Sequence, residues 1–162
     1  MKIIDFGLAR ILDGTDTSTN ELFEMSGETG SLRYMAPEIA NAKPYNHKGD
    51  VYSFGMILWE ILSMQKPFAG MNRDEFYDLV VRGGHRPDIG KRIPEEVAKL
   101  IRSCWDTDPS RRPNFQDISN SLRSFLEKEL GGKRVDGGKK FSGLLSRLPK
   151  NRELKDRHST WF

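Results

Sequence analysis

The residues of this 162-residue chain best placed to do chemistry start with Asp5, set between Ile3-Ile4 and Phe6-Gly7. Two β-branched residues ahead of Asp-Phe-Gly predict a short buried strand ending in a turn, where a carboxylate is ordinary turn chemistry. Hydroxyls follow at Thr15, Thr17, Ser18, Thr19, Ser26, Thr29 and Ser31, in a stretch where most of them need only solvate a loop. Asp50 opens an apolar segment and reads as an ordinary helix cap. The single cysteine, Cys104, stands in Ser-Cys-Trp among helical apolar residues and reads as an inert core thiol. His47, His85 and His158 show no metal-binding spacing with Cys104 and read as surface or packing residues. Gly132 to Lys139 has glycines and lysines, but it misses the G-x-x-x-x-G-K-[ST] pattern and follows a helix. A phosphate-binding loop is therefore rejected there.

The elements that must position these groups are mainly helices. Residues 12–28 are polar and rich in Ser, Thr, Gly and Asp, predicting a long exposed loop. Pro37 suits the first turn of a short helix. Gly49-Asp50 opens DVYSFGMILWEILS, where Val51, Phe54, Ile57, Leu58, Ile61 and Leu62 recur at 3–4 spacing and Met56 and Trp59 widen the apolar surface. That helix is expected at the centre of the fold. Three more helices are predicted. One carries Phe76, Leu79 and Val80 and stops at Gly83-Gly84. The next starts at Pro94 and buries Val97, Leu100, Ile101 and Trp105. The last repeats Phe115, Ile118, Leu122, Phe125 and Leu126, ending at Gly131-Gly132.

Hydrophobic residues make up 36% and charged residues 30%, the balance of a soluble globular protein. No run approaches the roughly 18 apolar residues of a membrane span, and Asp5 interrupts the only candidate for a signal peptide. With one cysteine no internal disulfide can form, which fits a reducing, cytoplasmic setting. The net charge of +3 hides an asymmetry: residues 131–162 carry nine basic and three acidic residues, leaving −3 for residues 1–130. The basic balance belongs to the tail, so it gives no argument that the body binds nucleic acid. GGKRVDGGKK reads as a flexible basic linker. FSGLLSRLPK sets Phe141, Leu144, Leu145 and Leu148 at helical spacing beside basic residues, so this tail can contact an acidic partner or a lipid surface, although its composition favours disorder.

Asp5-Phe6-Gly7, Ala36-Pro37-Glu38, Asp50-Val51-Tyr52-Ser53-Phe54-Gly55, Cys104-Trp105, Asp108-Pro109 and Arg111-Arg112-Pro113 stand in one order along the chain. Together they resemble the C-terminal half of a eukaryotic protein kinase domain, most like the tyrosine-kinase-like group of serine/threonine kinases. The resemblance covers residues 1–130 and implies a mainly α fold, the helical large lobe of a kinase from D-F-G onward, with the small lobe and catalytic loop absent. Residues 131–162 form the tail outside it.

By this resemblance Asp5 would hold the Mg²⁺ that bridges the ATP phosphates, since a hard cation takes oxygen ligands. Phe6 would pack under the small lobe, and Gly7 would free the backbone to swing Asp5 in or out. Glu38 and Arg112 would meet as a buried salt bridge, the planar guanidinium gripping both carboxylate oxygens. Asp50 would cap the central helix and hydrogen-bond the backbone of the catalytic loop. Residues 5–38 would form the activation segment, on which an upstream activating kinase could phosphorylate one of Thr15, Thr17, Ser18, Thr19, Ser26 or Thr29. The roughly −1.5 to −2 charge added would order the loop against Arg10 and another basic residue. Ser31, five residues before Ala36, stands where serine/threonine kinases carry a hydroxyl that aligns the substrate site, and where tyrosine kinases carry proline.

The departures from the family pattern are large. No glycine-rich loop, ATP-anchoring lysine, partner glutamate or H-R-D catalytic loop precedes Asp5. Phosphoryl transfer rests on positioning and electrostatics that those parts supply. The expectation is a fragment of a protein kinase that uses ATP and Mg²⁺ on protein substrates when intact and is inactive alone. Met1 directly before Lys2-Ile3-Ile4-Asp5 points to a shortened gene prediction or an internal start. The alternatives are a kinase-derived binding module without catalysis and a lipid- or nucleic-acid-binding protein acting through its tail.

Overall fold

The computed structural model describes residues 32–131. The expected strand at Ile3-Ile4, most of the activation segment and the basic tail lie outside them. The order is a 3₁₀ turn (Leu32–Tyr34), α1 (Pro37–Ala40), α2 (Lys48–Ser63), α3 (Arg73–Glu75) running on as a π-helix (Phe76–Arg82), α4 (Glu95–Cys104), a second 3₁₀ turn (Pro109–Arg111) and α5 (Phe115–Glu129). Helices dominate the described residues, as the sequence predicts. None is long and apolar enough to cross a membrane.

Helix α2 begins earlier than its sequence suggests. His47 stands at the N-cap, and the Asn46 side chain just before it accepts the Lys48 N–H at 3.0 Å, so Asp50 is the third helical residue and not the cap. At the other end the helix stops without glycine. Met64 takes the left-handed conformation (φ 57°) and its N–H closes on the Glu60 carbonyl at 2.8 Å.

The buried face of α2 also differs from expectation. Val51, Tyr52, Gly55, Met56 and Trp59 point inward, while Ile57 and Ile61 are 47% and 49% exposed. Apolar residues surround much of this cylinder, so their spacing permits more than one inward stripe. The approach of α4 selects one. A Cβ built on Gly55 would stand 2.7 Å from the Cys104 Cβ, so the two helices meet almost at backbone range. Ile101, Val97, Ala98 and Trp105 of the α4 segment then join Tyr52, Met56 and Trp59 in the larger apolar cluster.

The π-helix explains a second departure. A capping box starts the segment, with Asn72 and Glu75 exchanging side-chain-to-backbone bonds of 2.9 and 2.8 Å. Farther on, Gly83 N–H reaches the Asp78 carbonyl, five residues back. The wider turn places Phe76, Val80 and Val81 inside and leaves Leu79, expected in the core, 49% exposed. Helix α5 is docked more lightly. Asn114 caps it, but only Ile118 is fully buried, in a small cluster with Val51, Leu100 and Cys104. Leu122, Phe125 and Leu126 are half-buried, and Phe115 is exposed.

Candidate functional site

The group that gathers most of the sequence motifs is centred on Arg112. The loop before α5 delivers it. Asp108 accepts the Ser110 N–H and hydroxyl at 2.9 and 2.7 Å, which folds the 3₁₀ turn and holds the Asp108 carboxyl below its ordinary range. Arg112 follows with extended backbone (φ −70°, ψ 141°), so its side chain turns back into the protein.

There the guanidinium meets Glu38, carried on α1 whose first turn Pro37 preorganises. Nη1 donates to Oε1 at 2.6 Å and Nη2 to Oε2 at 2.9 Å, a two-pronged grip between residues 74 apart. The Arg112 side chain is fully buried and that of Glu38 is 12% exposed. A buried cation needs its other donors satisfied too. Nε donates to the Asp106 carbonyl and Nη1 also to the Lys48 carbonyl, both at 2.9 Å. Lys48 answers by donating Nζ to the Arg112 carbonyl at 2.6 Å. The Tyr52 ring lies 5.2 Å from the Arg112 guanidinium and 5.0 Å from that of Arg86, distances at which cations are drawn to an aromatic face. Burial pushes the Tyr52 phenol up to about 12.

One helix turn beyond, a second set of tethers fixes the chain that enters α1. Ser53 Oγ donates to the Tyr34 carbonyl at 2.8 Å, and Tyr34 Oη donates to Glu60 Oε2 at 2.6 Å. Burial, helped by that carboxylate, raises the Tyr34 phenol to about 12. Arg33 reaches across to the carbonyls of Pro67 and Phe68.

The structure therefore brings Glu38 and Arg112 together and places Asp50 on the first turn of α2. Asp50 is exposed, and no hydrogen bond from a described residue reaches its carboxylate. Partial burial of the group raises its pKa, against the pull of His47. Asp5, Phe6, Gly7, Ser31, Arg10 and the hydroxyls from Thr15 to Thr29 lie outside the described residues. Among those described, no three His, Cys, Asp or Glu side chains could hold a metal ion. Cys104 is buried, with its thiol pushed up to about 12 by burial, so it is not poised as a nucleophile. Sequence reasoning missed Arg33, Tyr34, Lys48 and Arg86. Lys48 and Arg86 bond chiefly to backbone carbonyls, as Arg33 does, and no residue pattern announces a carbonyl as partner. The Tyr34–Glu60 pair joins two elements whose proximity only the fold reveals.

Comparison with known proteins extends beyond this geometry. Residues 1–122 match the family described as protein tyrosine and serine/threonine kinase. Serine/threonine-protein kinase STY46 of Arabidopsis thaliana is 37% identical over 144 residues, covering 89% of this chain and 24% of that protein. Serine/threonine-protein kinase VIK of the same plant is 40% identical over 130 residues, covering 78% and 28%. Dual specificity protein kinase shkE of Dictyostelium discoideum is 35% identical over 127 residues, covering 78% and 17%. The chain thus spans between 17% and 28% of the length of these relatives.

Proposed function

This chain belongs to the protein tyrosine and serine/threonine kinase family, and we propose that it is the substrate-side, C-terminal part of a serine/threonine kinase. The intact enzyme would move the γ-phosphoryl group of ATP to protein Ser or Thr. The observation that carries the reading is the Glu38–Arg112 grip, which locks the end of the activation segment to the loop before α5. Such a lock matters because phosphoryl transfer depends on holding the acceptor hydroxyl in line with the phosphate.

ATP and Mg²⁺ belong to the intact enzyme, where the ion neutralises charge on the phosphates and Asp5 would supply one oxygen ligand. Ser31 would help to align the acceptor. Asp50, on the first turn of α2, is suited to accept backbone N–H groups of a catalytic loop in the intact enzyme. The names of the plant relatives support serine/threonine specificity. The names of two Dictyostelium relatives, both dual specificity protein kinases, favour a second reading, in which tyrosine is accepted as well.

Alone, the purified chain should show no ATP-dependent phosphorylation of a generic Ser/Thr substrate. In the intact parent, Asp5→Asn should abolish activity while leaving thermal unfolding nearly unchanged. A wild-type rate in that variant refutes the assignment. A peptide array on the parent separates the two specificities, because tyrosine peptides are phosphorylated only in the second.

A further inference from the structure

Arg33 lies two residues past Ser31 and three before Ala36-Pro37-Glu38. Its Nη1 donates to the Pro67 carbonyl at 3.0 Å and the Phe68 carbonyl at 2.9 Å, 34 and 35 residues away in the loop between α2 and α3. That loop is poorly supported by its own conformation. Met64, Phe68 and Gly70 all take left-handed φ, at 57°, 53° and 84°, and for the two non-glycine residues the Cβ makes this costly. Phe68 is nonetheless buried, edge-on to Phe76 at 5.5 Å between ring centres. Beyond that anchor and its own turn bond, from the Met71 N–H to the Phe68 carbonyl, the loop gains a hold from outside. Among the described residues, the Arg33 side chain donates to two of its carbonyls.

The same short turn is fastened on its other side. Ser53 and Glu60, both on α2, hold the Tyr34 carbonyl and hydroxyl. The turn 32–34, α2 and the loop after it therefore form one ledge, with Gln65, Lys66, Ala69 and Gly70 exposed along the loop. We propose that Arg33 is a positioning residue for the polypeptide substrate, fastening the chain beside Ser31 to the 64–71 loop so that the ledge is already ordered when a substrate peptide arrives. The proposal rests on the kinase reading above. A ledge left loose has to be ordered on binding, and that cost falls on substrate affinity more than on the chemical step. Arginine suits the task because it stays charged and directs several donors from one plane, so one side chain can serve neighbouring carbonyls.

The test uses Arg33→Met and Arg33→Lys in the intact kinase that contains this chain. With Arg33→Met, the KM for a peptide substrate should rise about tenfold, with kcat and the KM for ATP within about twofold. Arg33→Lys, which keeps the charge, should recover part of the loss. Hydrogen exchange read in parallel should show amides 66–72 exchanging about tenfold faster in Arg33→Met while those of α4 stay protected. If Arg33→Met loosens α4 as well, the Arg33→Lys measurements decide. An unchanged peptide KM overturns the substrate role, and unchanged exchange at 66–72 overturns the clamp itself. A wild-type kinase without phosphotransfer overturns the kinase reading and the substrate role with it, while the exchange data still judge the clamp.

Discussion

The two flanks of α2 are equally apolar and unequally covered. Val51, Tyr52, Gly55, Met56 and Trp59 are sealed by α4 and its neighbours, whereas Ile57 and Ile61 lie about half exposed. Isoleucine is as hydrophobic as methionine, so hydrophobicity did not choose between the flanks. Backbone approach did, through Gly55 against Cys104 on one side. Beside the open side Phe54 meets the exposed Phe115 edge-on at 5.8 Å and packs against the small cluster of Val51, Leu100, Cys104 and Ile118. The closed flank also carries the polar network, because Tyr52 and Lys48 both touch Arg112. The closed flank of α2 thus joins apolar packing and the buried ion pair, while Ile57 and Ile61 leave apolar surface on the other.

The hardest way to break the closed flank is Arg112→Ala. It leaves the Glu38 carboxylate unpaired in a mostly buried place and frees the Lys48 and Asp106 carbonyls, and the expected loss is about 3–5 kcal/mol. Urea unfolding of the chain measures it, and a loss below about 1 kcal/mol, the worth of an exposed pair, would show the grip to be dispensable.

A smaller effect comes from Gly55→Ala, which drives a methyl against the Cys104 Cβ and should cost about 1–3 kcal/mol. Cys104→Gly should relieve much of it and Cys104→Ala should not, since the Cβ itself is in the way. The thiol is protonated until about pH 12, so its labelling at pH 8 should be slow in the wild type and faster in Gly55→Ala. Additive costs in the Gly55→Ala/Cys104→Gly pair would deny the contact.

The open flank should respond least. Ile57→Thr and Ile61→Thr should each change stability by no more than about 0.5 kcal/mol, yet together reduce self-association and hydrophobic-dye binding of the isolated chain. If they destabilise as much as Gly55→Ala, the flank is not open in solution.

Much of this arrangement was legible in the residues. The four longer helical segments, the burial of Val97, Leu100, Ile101 and Trp105, and the stop signals at Gly83-Gly84 and Gly131 follow from periodicity and caps. What escaped it has physical causes. His47, not Asp50, stands at the N-cap of α2, and the side chain of Asn46 accepts the first helical N–H. The π-helix shifts the inward positions of α3, so Leu79 faces out although the 3.6-residue pattern places it in. Glu38 and Arg112 could be paired only through the family resemblance, because no local pattern links residues 74 apart. The Arg33 contacts were beyond reach altogether, since their acceptors are main-chain carbonyls in a loop whose left-handed residues include a phenylalanine.

The span of the Glu38–Arg112 grip has a consequence in time as well as in energy. Closing a loop of 74 residues costs chain entropy before the contact gives anything back, so this grip is expected to form after contacts of shorter span. Helices α2 and α4 can meet through a shorter closure. A bond made after the folding barrier leaves the folding rate almost untouched and acts as a brake on unfolding. If the Glu38–Arg112 grip forms late, Arg112→Ala should speed unfolding of this chain far more than it slows folding.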